Sequence, residues 1–384
     1  MMALSALRLP RSRPDALFLG AVAVVLVLGL IMVASASVAV ADRATGEPMY
    51  FFYRQAVYAL LGISAGFAVL HIPLEQLKSN SFLLLAGALL LLLIVLFPGV
   101  GKEVNGARRW IDLGPFAVQA SEPARLLLLL YLAGYATRRQ VELRSTFAGL
   151  IRPILPITLA CLLMLMEPDF GASAVLVIVA GIVLFLAGAR LLHLAVLGGG
   201  AVGLLIVAAL SSPYRAARLV SFTNPWEDPF QGGFQLTQSL IAIGRGEVTG
   251  VGLGNSVQKL MYLPETHTDF LFAIYAEEFG LAGSLALVAL FSVIVWRGFV
   301  IARRAIAAEA YFGGFVAYGL SSWVALQGFL NMGVNMGLLP TKGLTLPLMS
   351  YGGSSLVVMC VVVALLIRVD LESAIECKRK GIEA

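Results

Sequence analysis

Residues 16–41 read ALFLGAVAVVLVLGLIMVASASVAVA, 26 consecutive positions without a charge. A hydrocarbon core of about 30 Å takes about 20 apolar helical residues to cross. The run is long enough to span it and too long for a signal-peptide core, and no small-residue cleavage pattern leading into a soluble domain follows it. It is expected to remain as a membrane anchor. The rest of the chain repeats the pattern. Of 384 residues, 59% are hydrophobic and 13% charged, against about a quarter charged in a soluble domain, and mean hydropathy is +0.91. Further apolar runs lie at 55–72, 81–99, 171–189, 191–212, 270–296, 311–339 and 344–367. Two weaker runs complete a set of ten: 121–137, which carries Glu122 and Arg125, and 146–166, which carries Arg152, Pro153 and Pro156. The composition therefore predicts an all-α polytopic membrane protein, a single membrane domain over 1–384.

Lysine and arginine set the orientation, because cytoplasmic loops keep them. With the N-terminus inside, the inner segments hold Arg8, Arg11, Arg13, Lys78, Arg138, Arg139, Arg144, Arg152, Arg190, Arg297, Arg303, Arg304, Arg368, Lys378, Arg379 and Lys380, which is 16 of the 27 basic residues. Ten spans then leave both tails, 1–15 and 370–384, in the cytoplasm. The net charge of +5 records this bias and implies no nucleic acid. The outer side receives 99–120, a long loop at 213–269 between the seventh and eighth spans, and a short loop at 340–347. Structureless loops as long as 213–269 are uncommon and usually functional. This one holds turn material (NPWEDPFQGG), an amphipathic stretch (FQLTQSLIAIG) and a glycine-spaced stretch (GRGEVTGVGLGN). Cys161, Cys360 and Cys377 have no CxxC spacing, and His71, His193 and His267 do not cluster, so neither a disulfide nor a metal site is expected.

Four stretches on the outer side carry chemistry. PETHTDFLFAIYAEE, 264–278, places Asp269 where the long loop re-enters the membrane. A carboxylate there is partly desolvated and suited to act as a base, or it caps the following helix. Glu277 and Glu278 lie about two turns deeper, where acids face a cavity or a cation; an ion pair with an arginine of another helix is the plainer reading. VNGARRWIDLGPFAVQASEPAR, 104–125, brings Arg108, Arg109, Trp110, Glu122 and Arg125 outside. Arginine forks suit phosphate oxygens, while Glu122 and Arg125, three apart, suit a salt bridge. MEPDFGAS, 166–173, is turn chemistry, although its acid pair also suits a hard cation. NMGVNMGLLPTKGLTLPLMSYGGSS, 331–355, interrupts an apolar region with Gly, Pro, Ser and Thr. Such backbone is tolerated at membrane depth where it lines a cavity or is buried in protein. Lys342 is its only charge. No Walker A, GxSxG or dinucleotide fingerprint is present, so nucleotide energy and covalent serine chemistry are not indicated.

Three of these stretches, QSLIAIGRGEVTGVGLGNSVQKLMYLPETHTDF, NMGVNMGLLPTKGLTLPLMSYGGSS and NGARRWIDLGPFAVQASEPAR, resemble the shape, elongation, division and sporulation family of peptidoglycan glycosyltransferases, over roughly residues 16–370. TKGLTLP after LLP resembles the division branch more than the elongation branch. The resemblance implies ten helices, Asp269 as the essential carboxylate, and a substrate cavity lined by Arg109, Trp110, Glu122, Arg125, Asp169, Lys259, Glu265, His267, Lys342 and Ser350. Two departures stand out. The family's usual QPSE-x-x-K reads QASEPAR here, with Ala120 and Arg125. Its usual QPDFG reads EPDFG, and Glu167 adds a charge beside Asp169 that either favours a cation or shifts a pKa.

The activity implied is polymerisation of lipid II, an undecaprenyl-pyrophosphate-linked disaccharide peptide, on the periplasmic face of a bacterial inner membrane at the division septum. No cofactor is required by this reading, and a divalent cation, magnesium or manganese, is left open. The partners implied are membrane lipid, a class B penicillin-binding protein transpeptidase and an activating division subcomplex of the FtsQ, FtsL and FtsB type. Two rivals come from other classes. A lipid II flippase needs alternating access, often through inverted repeats with broken helices in both halves. Here no repeat is visible and the broken backbone falls mostly on one side. The other is a non-enzymatic scaffold of the division machine.

Overall fold

The computed structural model describes residues 13–104, 106–112, 114, 116–210, 224–227, 233–340 and 343–381. In lipid every backbone group must be satisfied within the protein, and the apolar runs accordingly form helices. In chain order these are α1 (Ala16–Thr45), α2 (Tyr50–Leu70), α3 (Leu74–Ser79), α4 (Ser81–Leu96), α5 (Ser121–Arg138), α6 (Gln140–Ser145), α7 (Phe147–Met166), α8 (Phe170–Leu186), α9 (Leu191–Leu210), α10 (Phe234–Arg245), α11 (Leu271–Ala307), α12 (Tyr311–Asn335) and α13 (Gly353–Lys380). Their ends are written in the sequence. Asp15 caps α1 by accepting from the amide of Phe18 at 3.0 Å, and Gly46 closes it in the left-handed conformation. The amphipathic stretch expected inside the long loop is α10.

Each of the ten expected spans coincides with a helix of between 16 and 37 residues. Five of them, α1, α2, α7, α11 and α13, are long and apolar enough to cross a membrane by those criteria alone. Two that are not, α5 and α12, are enclosed by protein: α5 packs on α4, α12 and α8, and α12 on α11, α5, α8 and α13. A helix enclosed over most of its surface is free to carry charge or amides on its buried face. Lipid is met by the outer helices, whose Leu60, Phe67, Leu83 and Leu285 side chains are exposed. On a soluble monomer such a belt would be an aggregation liability.

One region departs from the all-helical expectation. Residues 99–120 hold a three-stranded antiparallel sheet, β1 (Gly101–Val104), β2 (Ala107–Asp112) and β3 (Ala117–Gln119), in the order β1-β2-β3. Lys102 pairs with Trp110, and Trp110 with Gln119. Gly106, at φ 74°, makes the β1–β2 turn, a conformation glycine adopts without steric cost. The sheet is tied to the bundle through the Gln119 amide, which donates to Ser354 Oγ at 3.2 Å. A second difference is that the tenth expected span begins nine residues late, at Gly353 rather than residue 344. Residues 343–352 instead form a non-helical segment that buries Leu344, Leu346, Leu348 and Met349 among the helices.

The feature that shapes the centre is a break in α11. Gly280 sits at φ 66°, ψ −164°, a region open essentially to glycine alone. In an unbroken helix the carbonyls of Glu277 and Glu278 would accept from the amides of Leu281 and Ala282. Here those carbonyls accept from Val251 and Gly252, both at 3.0 Å, while the amides of Leu281 and Ala282 donate to Glu247 and Val248 at 2.9 and 3.0 Å. The glycine-spaced part of the long loop thus replaces the lost helical bonds one for one. A Cβ on Gly280 would lie 2.4 Å from the amide nitrogen of Gly250. Gly280→Ala is therefore expected to cost at least the ~1–3 kcal/mol of a forced backbone conformation and to lower the melting temperature in detergent. Gly244→Ala on α10, which meets nothing within 4 Å, serves as the control and should not.

Candidate functional site

The site is organised by polar side chains on α12. Gln327, Asn331 and Asn335 are spaced four apart and share one face of the helix. Asn331 Nδ2 donates to the carbonyls of Asp269, at 2.9 Å, and Leu344, at 2.6 Å. Asn335 Nδ2 also donates to the Asp269 carbonyl, at 3.0 Å. Gln327 Nε2 donates to the carbonyl of Thr345 at 3.0 Å. The stripe therefore clamps both irregular segments, 264–270 and 343–352, against the same helix. These amides were not singled out from the sequence, although polar side chains at four-residue spacing in an uncharged helix were a readable signal.

Asp269 lies half-buried in this clamp. The N-cap position of α11 is taken by Phe270, one residue after Asp269. Its carboxylate stands beside Gly343, where a Cβ would come 3.1 Å from Oδ2. The turn before it is tight. The Glu265 carbonyl, at φ 56°, accepts from the amides of Thr268 and Phe270, and its carboxylate from Thr268 Oγ1 at 2.6 Å. His267 is buried between Phe51 and Tyr351, with ring centroids at 4.4 and 5.4 Å. Burial holds its imidazole below the ordinary histidine value, only partly offset by Glu265, so the ring is neutral at pH 7. Ser350 Oγ accepts from the amide of Leu346 at 3.0 Å, and its carbonyl accepts from Gln55 Nε2 at 3.0 Å. Asp269, Glu265, His267 and Ser350 are thus gathered around the 343–352 segment. Lys342 lies outside the described residues.

On the far side of that segment Leu344 packs on Gly171, in the first turn of α8. Here stands a second group. Asp169 caps α8, accepting from the Ala172 amide at 3.1 Å, and also from Ser121 Oγ at 2.7 Å and Gln119 Nε2 at 2.9 Å. Glu167 is fully buried, with Arg109 in electrostatic reach. Trp110, the next residue on β2, leaves the opposite face of the strand from Arg109. Arg125, on α5, is the best-buried arginine of the site. Its side chain is 2% exposed and turned inward. It is paired to Glu122, lies 3.4 Å from Gln327 Oε1 and sits over the Trp323 ring at 4.9 Å. The salt bridge read from the three-residue spacing is present, and the guanidinium it engages is buried in the bundle.

Glu277 and Glu278 are answered by cations, as the plainer reading expected, but both partners come from the long loop. Arg245 on α10 reaches Glu277 Oε1 at 2.8 Å, and the amide of Val257 reaches it at 3.0 Å. Lys259 Nζ reaches Glu278 Oε1 at 2.8 Å and Ser35 Oγ on α1 at 2.9 Å. Lys259 therefore ties the long loop to α11 and α1. Among the described residues, no group of three or more His, Cys, Asp or Glu is placed to hold a metal ion.

The fold and site define a multi-pass helical membrane protein with a polar, carboxylate-bearing centre at one end of its bundle. The chain belongs to the FtsW, RodA and SpoVE family of cell cycle proteins, whose model matches residues 15–375. It is 56% identical over 346 residues to a probable peptidoglycan glycosyltransferase FtsW of Thioalkalivibrio sulfidiphilus, covering 90% of this chain and 86% of that one. It is 54% identical over 364 residues to the corresponding protein of Nitrosococcus halophilus, covering 94% and 93%. Among solved structures it resembles the rod shape determining protein RodA of Thermus thermophilus, with a TM-score of 0.69 and 29% identity over 94% of this chain and 97% of that one. It also resembles a chain from a peptidoglycan synthase complex that coordinates polymerization and crosslinking, with a TM-score of 0.75 and 29% identity over 94% and 98%. The family resemblance read from the three motifs is thereby established.

Asn331 supplies the bond that the buried Leu344 carbonyl receives at 2.6 Å. Asn331→Leu is expected to cost about 1–3 kcal/mol for that orphaned group, read as lost thermal stability in detergent. Phe329→Leu, on the exposed face of the same helix, should change little.

Proposed function

We propose that this protein is a peptidoglycan glycosyltransferase that polymerises lipid II during septal wall synthesis, with Asp269 as general base. The observation that carries the assignment is the placement of Asp269. It is half-buried beside Gly343, with its backbone fixed by two amides of α12. In the reaction, the 4-hydroxyl oxygen of a lipid-linked acceptor attacks the anomeric carbon of the growing donor strand. Its proton passes to Asp269. The bond from that carbon to the donor's diphosphate breaks, and the diphosphate leaves with the bonding pair. The energy resides in that bond, in keeping with a sequence that has no nucleotide motif. Arg109 is the arginine best suited to receive the departing charge, since Arg125 is committed to Glu122; Lys342 is proposed as a further phosphate contact. Trp110, Asp169, Glu265, His267 and Ser350 shape the surroundings, and Glu122 and Lys259 act as braces.

The end of the bundle that carries Asp269 and the sheet is assigned to the periplasmic side, on the distribution of Lys and Arg. A class B penicillin-binding protein is the proposed partner, supported by the likeness to a synthase complex that couples polymerization to crosslinking. The activating division subcomplex is proposed on the family resemblance alone, as is a divalent cation.

Purified protein in detergent with lipid II tests this reading, because no bilayer exists for a flippase to cross. Wild type should form polymer. Asp269→Asn should lose about 10²–10⁴-fold in rate at an unchanged melting temperature. Normal polymerisation by Asp269→Asn would exclude it as the base. No polymer from wild type, with or without the partner transpeptidase and with or without chelator, would favour the transporter or scaffold readings.

A further inference from the structure

Glu167 closes the turn between α7 and α8, and its side chain is wholly shut off from solvent. Among the described residues, neither of its carboxyl oxygens meets a hydrogen-bond donor. The charges that reach it are Asp169, at the N-cap of α8, and Arg109, on β2. The donors at this corner, Ser121 Oγ, Gln119 Nε2 and the Ala172 amide, all donate to Asp169 and not to Glu167. On α5, Glu122 stands within reach of Asp169 and is held by Arg125, so that pair brings Glu167 no spare cation. Arg109 Nε is itself buried without an acceptor. A buried carboxylate needs an intimate cation or several donors, and Glu167 has neither. If it were ionised, Arg109, the one cation in reach among the described residues, would be drawn onto it.

We infer that Glu167 keeps its proton in the working protein, so that the Arg109 guanidinium stays uncommitted and open to an anionic group of the substrate. The inference rests on the reading of Arg109 as a phosphate contact given above. Burial, reinforced by Asp169 and opposed by Arg109, pushes the Glu167 carboxyl up to about 8. A protonated carboxyl offers one O–H donor and one carbonyl acceptor, as a side-chain amide offers N–H and carbonyl. The departure from the glutamine expected at this position is then conservative in charge at neutral pH. It neither adds the negative charge that the sequence suggested nor calls for a cation. Glu167 is a positioning residue in this scheme: it acts through Arg109 and touches no reacting atom.

The direction of the pH effect follows. Below about 8 the carboxyl is neutral, and Arg109 is available. Above it the carboxylate forms, pairs with Arg109 and competes with the phosphate. The competition raises KM for lipid II and leaves kcat largely untouched. Each pH unit above the titration point leaves about a tenth as much of the protonated form, so wild-type KM should climb about tenfold per unit there. Glu167→Gln, which cannot ionise, should hold a flat KM over the same range.

A second measurement needs no turnover. The wild-type-minus-Glu167→Gln infrared difference spectrum of the detergent-purified protein should show a protonated-carboxyl stretch at neutral pH, replaced by a carboxylate stretch in alkali. The proposal is overturned if that neutral-pH spectrum shows a carboxylate, or if the two KM profiles rise in parallel. Either result leaves the assignment of Asp269 standing, because that is decided by Asp269→Asn alone. Loss of activity in Asp269→Asn alongside a flat Glu167→Gln profile supports both.

Discussion

The structure depends on how four backbone groups are satisfied where α11 breaks. Gly280 turns the chain out of the helix, and the carbonyls of Glu277 and Glu278 and the amides of Leu281 and Ala282 lose their partners. In the interior of a membrane protein such groups cost several kcal/mol each if left alone. The 247–252 segment supplies every missing bond. The break is thus not a local defect but an anchorage, and it fixes the path of the loop that leads to Asp269.

The side chains reinforce the same joint. Glu277 gathers Arg245 and the Val257 amide, and Glu278 gathers Lys259 and Ser35. Two acids set side by side in an apolar helix would be costly alone. Here they are occupied by the very loop they hold. From there the chain runs through His267, wedged between Phe51 and Tyr351, to Asp269, whose carbonyl meets the amides of α12. Because α12 also grips Leu344 and Thr345, the two irregular segments are held to one helix face. Rigid support of this kind is what a positioned carboxylate requires.

The electrostatic consequence is that most cations near the centre are already spent on acids of the fold: Arg125 on Glu122, Arg245 on Glu277, Lys259 on Glu278. What the centre can do with an anionic substrate therefore turns on the arginine that is not so committed. The protonation state of its neighbour decides that. A residue count of acids and bases could not reveal this, since it treats every carboxyl as charged.

The sequence by itself determined the class, the approximate limits of the apolar helices, and the family to which the chain belongs. It could do so because a run of some 20 uncharged residues and a bias of arginines depend on composition along the chain, which lipid reads locally. It also gave the Glu122–Arg125 pair, since three residues on a helix is a local distance. It did not give the sheet at 101–119, whose strands are short and whose pairing is set by the bundle beneath it. Nor did it give the late start of α13, the inward turn of Arg125, or Lys259 as a partner of Glu278. Those were decided only by the tertiary structure. Burial and partnership between residues as far apart as Ser35, Lys259 and Glu278, or Asp269 and Asn335, are created when helices pack, and no spacing along one segment encodes them.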